Sequence, residues 1–173
     1  MKTLTRLIVA GFAVSVSAGA AMAEGLTAPQ IAHAAYTADE LDIAYAKIAL
    51  DKSKNADIRT FAELMIKDHT AANTAALALV KKLGVTPEDN AFSQTLVKNG
   101  DAKKAELRAL SGADFDRAYA QNEYAYHDVV VKTVAEQWIP SIENAEFKKF
   151  MIDANEIFKA HLHHAGMVAA KFK

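Results

Sequence analysis

Apolar residues recur at alternating intervals of four and three along two long stretches of the chain. One stripe contains Ile58, Ala62, Met65, His69, Ala72, Ala76, Leu79 and Leu83, and the other contains Phe147, Met151, Ala154, Phe158, His161, Ala165, Val168 and Phe172. This spacing places all members of a stripe on one face of an α-helix, as in a helix packed within a bundle. Similar stripes predict two further helices, one with Ala34, Ala38, Leu41, Tyr45 and Ile48 and one with Phe115, Tyr119, Asn122, Tyr126, Val129 and Thr133.

Glycine, proline and short polar clusters separate these stripes and set the predicted helix limits. They predict helices near 30–53, 56–83, 88–110, 113–138 and 143–171, with the third helix broken at Gly100. No segment has the β-branched alternation that is typical of a strand. Short connections make neighbouring helices antiparallel. The sequence therefore predicts an all-α fold, an up-down four-helix bundle with the broken 88–110 helix as an extra connecting element.

The first 23 residues have the features of a cleaved export signal. Lys2 and Arg6 precede the apolar stretch 7–16, and Ala21-Met22-Ala23 has the small-x-small pattern of a cleavage site. The stretch is shorter than the roughly 20 apolar residues of a membrane span. We therefore expect residues 1–23 to be removed and residues 24–173 to form one domain with no membrane span. Its expected location is the periplasm, with secretion or outer-membrane association as alternatives.

Charge and cysteine content narrow the classes of function. The chain has 20 Lys and Arg against 21 Asp and Glu, and the predicted signal contains two of the basic residues, so the mature net charge is −3 with histidine neutral. Nucleic-acid binding needs a basic surface, so it is not expected. The chain has no cysteine, which excludes disulfides, thiolate ligands and a thiol nucleophile.

Three strings carry a resemblance to a known family. They are FAELMIKDHT at 61–70, LSGADFDRAY at 110–119, which is followed by His127, and HLHHA at 161–165. In this order behind an export signal, they resemble the bacterial exported family catalogued as domain of unknown function 4142, over roughly residues 30–170. The resemblance implies a ferritin-like helical bundle exported by Gram-negative bacteria and commonly labelled an outer-membrane protein. It implies no particular biochemical activity.

The chain departs from the family pattern at two places. Asp42 stands where the family usually carries glutamate, which shortens a candidate ligand. Glu156-Ile157 replaces the Leu-Pro expected before the last histidine motif, which makes the final helix more continuous.

Four polar residues are candidate metal ligands because they fall at similar depths in the predicted bundle. At 1.5 Å per residue, Asp42, His69, His127 and His161 lie roughly 16–27 Å from one end. His69 and His161 also belong to the apolar stripes, which predicts that both are buried. Imidazole and carboxylate donors suit zinc, copper or iron, and bundle proteins build metal sites between facing helices.

The alternative is that these histidines are core residues held by hydrogen bonds. Tyr45, Tyr119, Tyr126 and Asp116 are the predicted partners in that case. A ferritin-like di-iron centre is not expected, because its Glu-x-x-His pairs do not occur in the sequence and the pair Glu123 and His127, four residues apart, is weak support.

A second group of histidines lies near the end of the chain. His161, His163 and His164 could hold an ion at the surface. Alternatively, His163, His164, Lys171 and Lys173 complement the negative end of the last helix dipole.

These observations predict an exported cell-envelope protein that acts by binding or in a stress response and has no catalytic residues. The alternative function is a metal-binding protein or metalloenzyme that uses the central histidines. A third possibility is a scaffold that docks an envelope protein on a helix face. The expected partners are a metal ion or an envelope protein, and the sequence leaves the oligomeric state open.

Overall fold

The computed structural model describes residues 25–172, so the predicted signal peptide, residues 1–23, lies outside the described residues. Over this range the secondary structure consists of helices joined by short connections, which confirms the all-α fold. The long helices are α1 (Ala28–Lys52), α2 (Ala56–Lys82), α3 (Ala91–Ala109), α4 (Gly112–Thr133) and α5 (Ala145–Ala169). None of the helices within residues 25–172 is long and apolar enough to cross a membrane.

Most of these helices begin at a side chain that accepts hydrogen bonds from the first turn. Thr27 and Gln30 form a reciprocal capping box at α1. Asn55, Asn90 and Asn144 each accept a backbone N–H at the start of α2, α3 and α5. Such caps satisfy amide groups that have no partner inside the helix, and each contributes about 1 kcal/mol. The sequence therefore fixes the helix starts locally.

Helices α1, α2, α4 and α5 form the bundle, and α3 packs along α1. The core has two large apolar layers, one towards each end, and a small apolar cluster of Val131, Ala154 and Phe158. The Phe61 layer contains Tyr45, Ile58, Phe61, Met65, Phe115, Tyr119, Ala165 and Val168. The Trp138 layer contains Ile31, Ala34, Val80, Phe92, Val134, Trp138, Ile142, Phe147 and Met151. On every bundle helix, a buried polar residue lies between the two layers.

The predicted stripe on α5 is confirmed, whereas the one on α4 is wrong in its middle. All members of the α5 stripe are buried except Phe172, which is half-buried. On α4 the buried face passes through Glu123, His127 and Val131, while Val129 is exposed. Compared with the prediction, α4 is rotated about its axis. The face through Val129 and the face through Val131 both carry apolar residues, and packing against the other helices selects the second.

Helix α3 is continuous through Gly100, so the predicted break at that residue is wrong. Gly100 is buried, and a methyl group at its Cα would overlap the side chain of Leu41 on α1. The glycine therefore allows α3 to approach α1 closely, and it does not interrupt the helix.

Helix α4 continues through a π-helical turn, Val134–Trp138, and a last short α-helical turn, Ile139–Ser141. The amide of Ile139 donates to the carbonyl of Val134, five residues earlier. Pro140 has no N–H, and its ring would meet the carbonyl four residues before it in a regular α-helix. The wider turn removes that conflict and places Trp138 in the core, edge-on to Phe92 with ring centroids 5.6 Å apart.

A buried histidine and carboxylate cluster

The four predicted ligands meet in the middle of the bundle, one from each helix. Asp42 on α1, His69 on α2, His127 on α4 and His161 on α5 are each between 0% and 3% exposed. One carboxylate oxygen, Oδ2 of Asp42, lies 3.1 Å from Nε2 of His69 and 3.3 Å from Nε2 of His127. The stripes on α2 and α5 bring two of these side chains inward because histidine occupies core positions of the repeat.

The three imidazole rings surround one point. Their centroids are 5.7 Å apart for His69 and His127, 5.2 Å for His69 and His161, and 5.5 Å for His127 and His161. One ring nitrogen from each of the three lies within 4.8 Å of those from the other two. Ligand nitrogens around a tetrahedral zinc ion are about 3.3 Å apart at Zn–N distances of about 2.0–2.1 Å. Small side-chain rotations would therefore bring these donors to a single ion.

His69 lies between two carboxylates of α1. Its Nδ1 is 2.7 Å from Oδ1 of Asp39, the distance of a strong hydrogen bond in which the ring donates. Its Nε2 lies 3.1 Å from Oδ2 of Asp42, an ion-pair distance when the ring is protonated. Asp39 and Asp42 share a face of α1 because they are three residues apart.

His127 is oriented by its own helix. Its Nδ1 lies 3.0 Å from the backbone carbonyl oxygen of Glu123, one turn earlier, so the ring donates to that oxygen. Nε2 then points to Asp42 without a hydrogen bond of its own. This arrangement fixes the tautomer that leaves the Nε2 lone pair available.

His161 has the opposite orientation. Its Nε2 lies 3.1 Å from Oδ2 of Asp68 on α2, and its Nδ1 is buried without a partner. His127 and His161 therefore each use one ring nitrogen for an acceptor and leave the other unpaired, whereas the second nitrogen of His69 faces Asp42. A hydrogen bond to the far nitrogen is the usual support of a metal-ligating histidine.

Glu123 is a fifth cluster residue that the sequence analysis treated only as a weak partner of His127. It is 0% exposed, and Asp42, Glu123 and His127 form a second group whose donor atoms lie within 4.8 Å of one another. The carboxyl group of Glu123 lies beside the side chains of Asp42 and Asn122, and both shift its pKa. The available signal was the four-residue spacing to His127, which places both side chains on one face of α4.

Charge in the cluster is concentrated on one pair. Burial opposes ionisation of Asp42, but the adjacent His69 and His127 outweigh burial and hold the pKa of Asp42 well below its usual range. Burial also opposes protonation of His69, yet Asp42 and Asp39 raise the pKa of that ring well above its usual value. The metal-free cluster therefore contains an imidazolium of His69 paired with the carboxylate of Asp42.

For Glu123, His127 and His161, burial favours the neutral form. Burial and the nearby charge of Asp42 raise the pKa of Glu123 well above its usual range, which favours the carboxylic acid. Burial lowers the pKa of His127, and burial lowers that of His161 to about 4. Both rings are therefore uncharged, the form in which imidazole binds a metal.

Under the alternative hypothesis, that the central histidines are hydrogen-bonded core residues, the partners named from the sequence differ from those observed. The central histidines contact Asp39, Asp68 and the Glu123 carbonyl, whereas the prediction named Tyr45, Tyr119, Tyr126 and Asp116. The hydroxyl of Tyr126 donates to the carbonyl of Ala38, and that of Tyr119 is buried without a partner.

The side chains of His161, His163 and His164 do not converge on one site. His161 points into the cluster, while His163 is exposed and His164 packs its ring edge-on against Phe61 at 5.0 Å. In the described part of the chain, neither His163 nor His164 belongs to a group of potential metal donors.

These features define an all-helical bundle with a buried cluster of imidazoles and carboxylates at its centre. The family model described as domain of unknown function (DUF4142) matches residues 13–168. The chain therefore belongs to this family. Searches of curated proteins and of solved structures found no match.

Proposed function

We propose that this chain binds one divalent transition-metal ion, with zinc, copper and iron as the candidates, through Asp42, His69, His127 and His161. The single observation that carries the proposal is the orientation of the three imidazoles. Each gives one nitrogen to an acceptor outside the group of rings, and the other nitrogen is unpaired in His127 and His161 and faces Asp42 in His69. A histidine with only a structural role would be expected to satisfy both nitrogens.

The energy of the metal-free cluster supports the same proposal. Each buried polar atom without a partner destabilises a protein by about 1–3 kcal/mol. One ring nitrogen of His127, one of His161 and Oδ1 of Asp42 are in this state. A divalent cation would satisfy these donors together and would balance the carboxylates. Nitrogen and oxygen donors without thiolate favour a borderline ion such as Zn²⁺, Cu²⁺ or Fe²⁺.

The burial of the donors favours a held ion over catalytic turnover. A catalytic metal needs a coordination position that substrate or water can reach. The four ligands are at most 3% exposed, and two surface pockets, one beside Lys171 and one beside Tyr124, are lined by other residues. We propose that the ion is stored, carried or used to stabilise the bundle. The pattern of residues 1–23 supports action in the periplasm, with a mature chain that begins at Glu24.

The test is the metal content of the protein exported from the full-length chain. Intact mass spectrometry should give a chain that starts at Glu24, and elemental analysis should give one ion per chain. His69→Ala and His161→Ala should abolish uptake, whereas His163→Ala, the matched change on the exposed face of α5, should preserve it. Added metal should stabilise wild type by about 2.7 kcal/mol at a hundredfold excess over Kd, and EDTA should remove the effect.

Two results would contradict the proposal. If wild type took up no stoichiometric metal, the central histidines would be hydrogen-bonded core residues. If uptake persisted in both cluster variants and disappeared in His163→Ala, the ion would be bound at the surface near the end of α5.

A further inference from the structure

Asp68 differs from the other groups that contact the cluster because water reaches it. Its side chain is 27% exposed, whereas those of the four proposed ligands are at most 4% exposed and that of Asp39 is 11% exposed. Asp68 is also the hydrogen-bond partner of His161, at 3.1 Å from Nε2. A continuous path of polar atoms therefore leads from the surface of the bundle through Asp68 and His161 to the cluster.

The position of Asp68 on α2 produces this path. Consecutive residues of an α-helix point about 100° apart. His69 therefore points directly into the cluster, while Asp68 faces α5 and contacts His161. The dipeptide Asp68-His69, part of the FAELMIKDHT string, thus contacts the cluster twice, once directly and once through the neighbouring helix.

The charge around Asp68 leaves its carboxylate accessible to a cation. Lys67 Nζ lies 3.9 Å from Asp68 Oδ1, but the Lys67 side chain is 81% exposed. An ion pair as exposed as this one contributes little to the free energy of folding, so water and dissolved ions can replace Lys67 beside the Asp68 carboxylate. A buried site, by contrast, needs a group at its edge that replaces part of the hydration shell of an incoming ion.

We propose that Asp68 is the capture residue of the metal site, so that a divalent cation passes between α2 and α5 by binding Asp68 first and His161 second. The inference rests on the proposed function, because it concerns how the same ion reaches its ligands. Asp68 acts by positioning His161 and by transient contact with the ion, and it is not one of the final ligands. A group that stabilises the ion during passage accelerates uptake, so its loss should slow association, and loss of its hydrogen bond to His161 should separately weaken affinity.

The experiment follows Co²⁺ binding by stopped-flow absorbance, using the visible bands of the bound ion. Asp68→Asn should slow association by about tenfold at low salt. It should also weaken Kd, because Asp68 supports His161 as Asp39 supports His69. The rate difference should shrink as ionic strength rises. Asp68→Glu, which keeps the charge, should restore much of the rate.

Two matched variants separate capture from general effects. Glu63→Gln, an exposed carboxylate on the same helix, should leave rates and Kd unchanged. Asp39→Asn, at the buried partner of His69, should weaken Kd by about 10–100-fold, mainly through faster dissociation. Circular dichroism of each variant confirms the fold.

The outcomes distinguish this inference from the proposed function. If Asp68→Asn bound Co²⁺ at wild-type rates, capture by Asp68 would be wrong while metal binding stood. If wild type bound no Co²⁺, Zn²⁺ or Cu²⁺, both proposals would fail.

Discussion

The middle of the bundle and its two ends are built from the same four helices, but they contribute to stability in opposite ways. At the ends, the Phe61 layer and the Trp138 layer bury aromatic and aliphatic side chains. Each large apolar side chain stabilises the fold by about 1.5–3 kcal/mol on burial. In the middle, the same helix faces present five ionisable side chains with at most 3% exposure.

This difference shows which residues are explained by their contribution to the stability of the fold. Packing accounts for the two layers, since every residue there contributes through apolar contact. The middle layer contains unpaired polar atoms that destabilise the metal-free chain. A core selected for stability alone would place apolar residues there, and replacing buried charges with apolar groups is often neutral or stabilising. Apolar packing therefore explains the ends of the bundle, and the proposed metal binding is what would explain the middle.

The largest test of this division removes a residue from one end. Phe61 is 1% exposed and packs edge-on against Tyr119 at 6.4 Å. Phe61→Ala should lower the free energy of unfolding by about 3–5 kcal/mol, because it leaves a cavity in the layer. Chemical denaturation with and without EDTA should give the same loss. Leu77→Ala, at an exposed position of the same helix, is the matched control and should cost less than about 0.5 kcal/mol.

A smaller effect should come from acid acting on the middle layer. Burial lowers the pKa of His161 to about 4 in the folded chain, whereas an unfolded histidine titrates near 6.5. As pH falls from 6.5 to 4, only the unfolded chain takes up this proton, so the stability contributed by neutral His161 is lost. The loss should approach about 3 kcal/mol for this group. Burial of neutral His127 acts in the same direction. Glu123 and Asp39 act in the opposite direction, because burial raises the pKa of each and the folded chain takes up their protons first. The pKa of His69 is raised in the folded chain, so its contribution to stability is constant below pH 6.5.

The contribution of His161 is measured by comparing variants in the presence of EDTA. His161→Gln should unfold with a weaker dependence on pH between 6.5 and 4 than wild type. His163→Gln, on the exposed face of the same helix, should keep the wild-type dependence. Equal slopes for wild type and His161→Gln would place the acid response outside the cluster.

The smallest expected effect tests the close contact of α1 and α3. Gly100→Ala gains about 1 kcal/mol of helix propensity but forces Leu41 to move, which costs about 1–3 kcal/mol in a packed core. The net change should be a destabilisation of about 1 kcal/mol, visible in the denaturation midpoint. Asn99→Ala on the exposed side of α3 should show the propensity gain alone. A stabilised Gly100→Ala would mean that Leu41 moves without cost.

The sequence predicted the fold well where the periodic pattern had one interpretation. On α5 the apolar stripe continues without interruption from Phe147 to Val168, so only one face can be buried. On α4 two adjacent faces compete, and the apolar choice through Val129 was wrong because Glu123 and His127 occupy the buried face. Burial was predicted from periodic apolar residues, and a buried carboxylate such as Glu123 interrupts that periodicity.

The candidate site was predicted in part, and the missing residues are those defined by contacts between helices. Asp42, His69, His127 and His161 were found because they fall at similar depths. Asp39 and Asp68 were not found, since their roles depend on which histidine each one faces across the bundle. Gly100 was misread for the same reason, because a glycine that breaks a helix and one that admits a neighbouring helix look alike in sequence.

The π-helical turn at Val134–Trp138 is wider than an α-helical turn, so it offsets the helix faces on its two sides. His127 lies before this turn and Trp138 lies at its end. The α-helical spacing that directs His127 into the cluster therefore does not by itself determine the direction of Trp138.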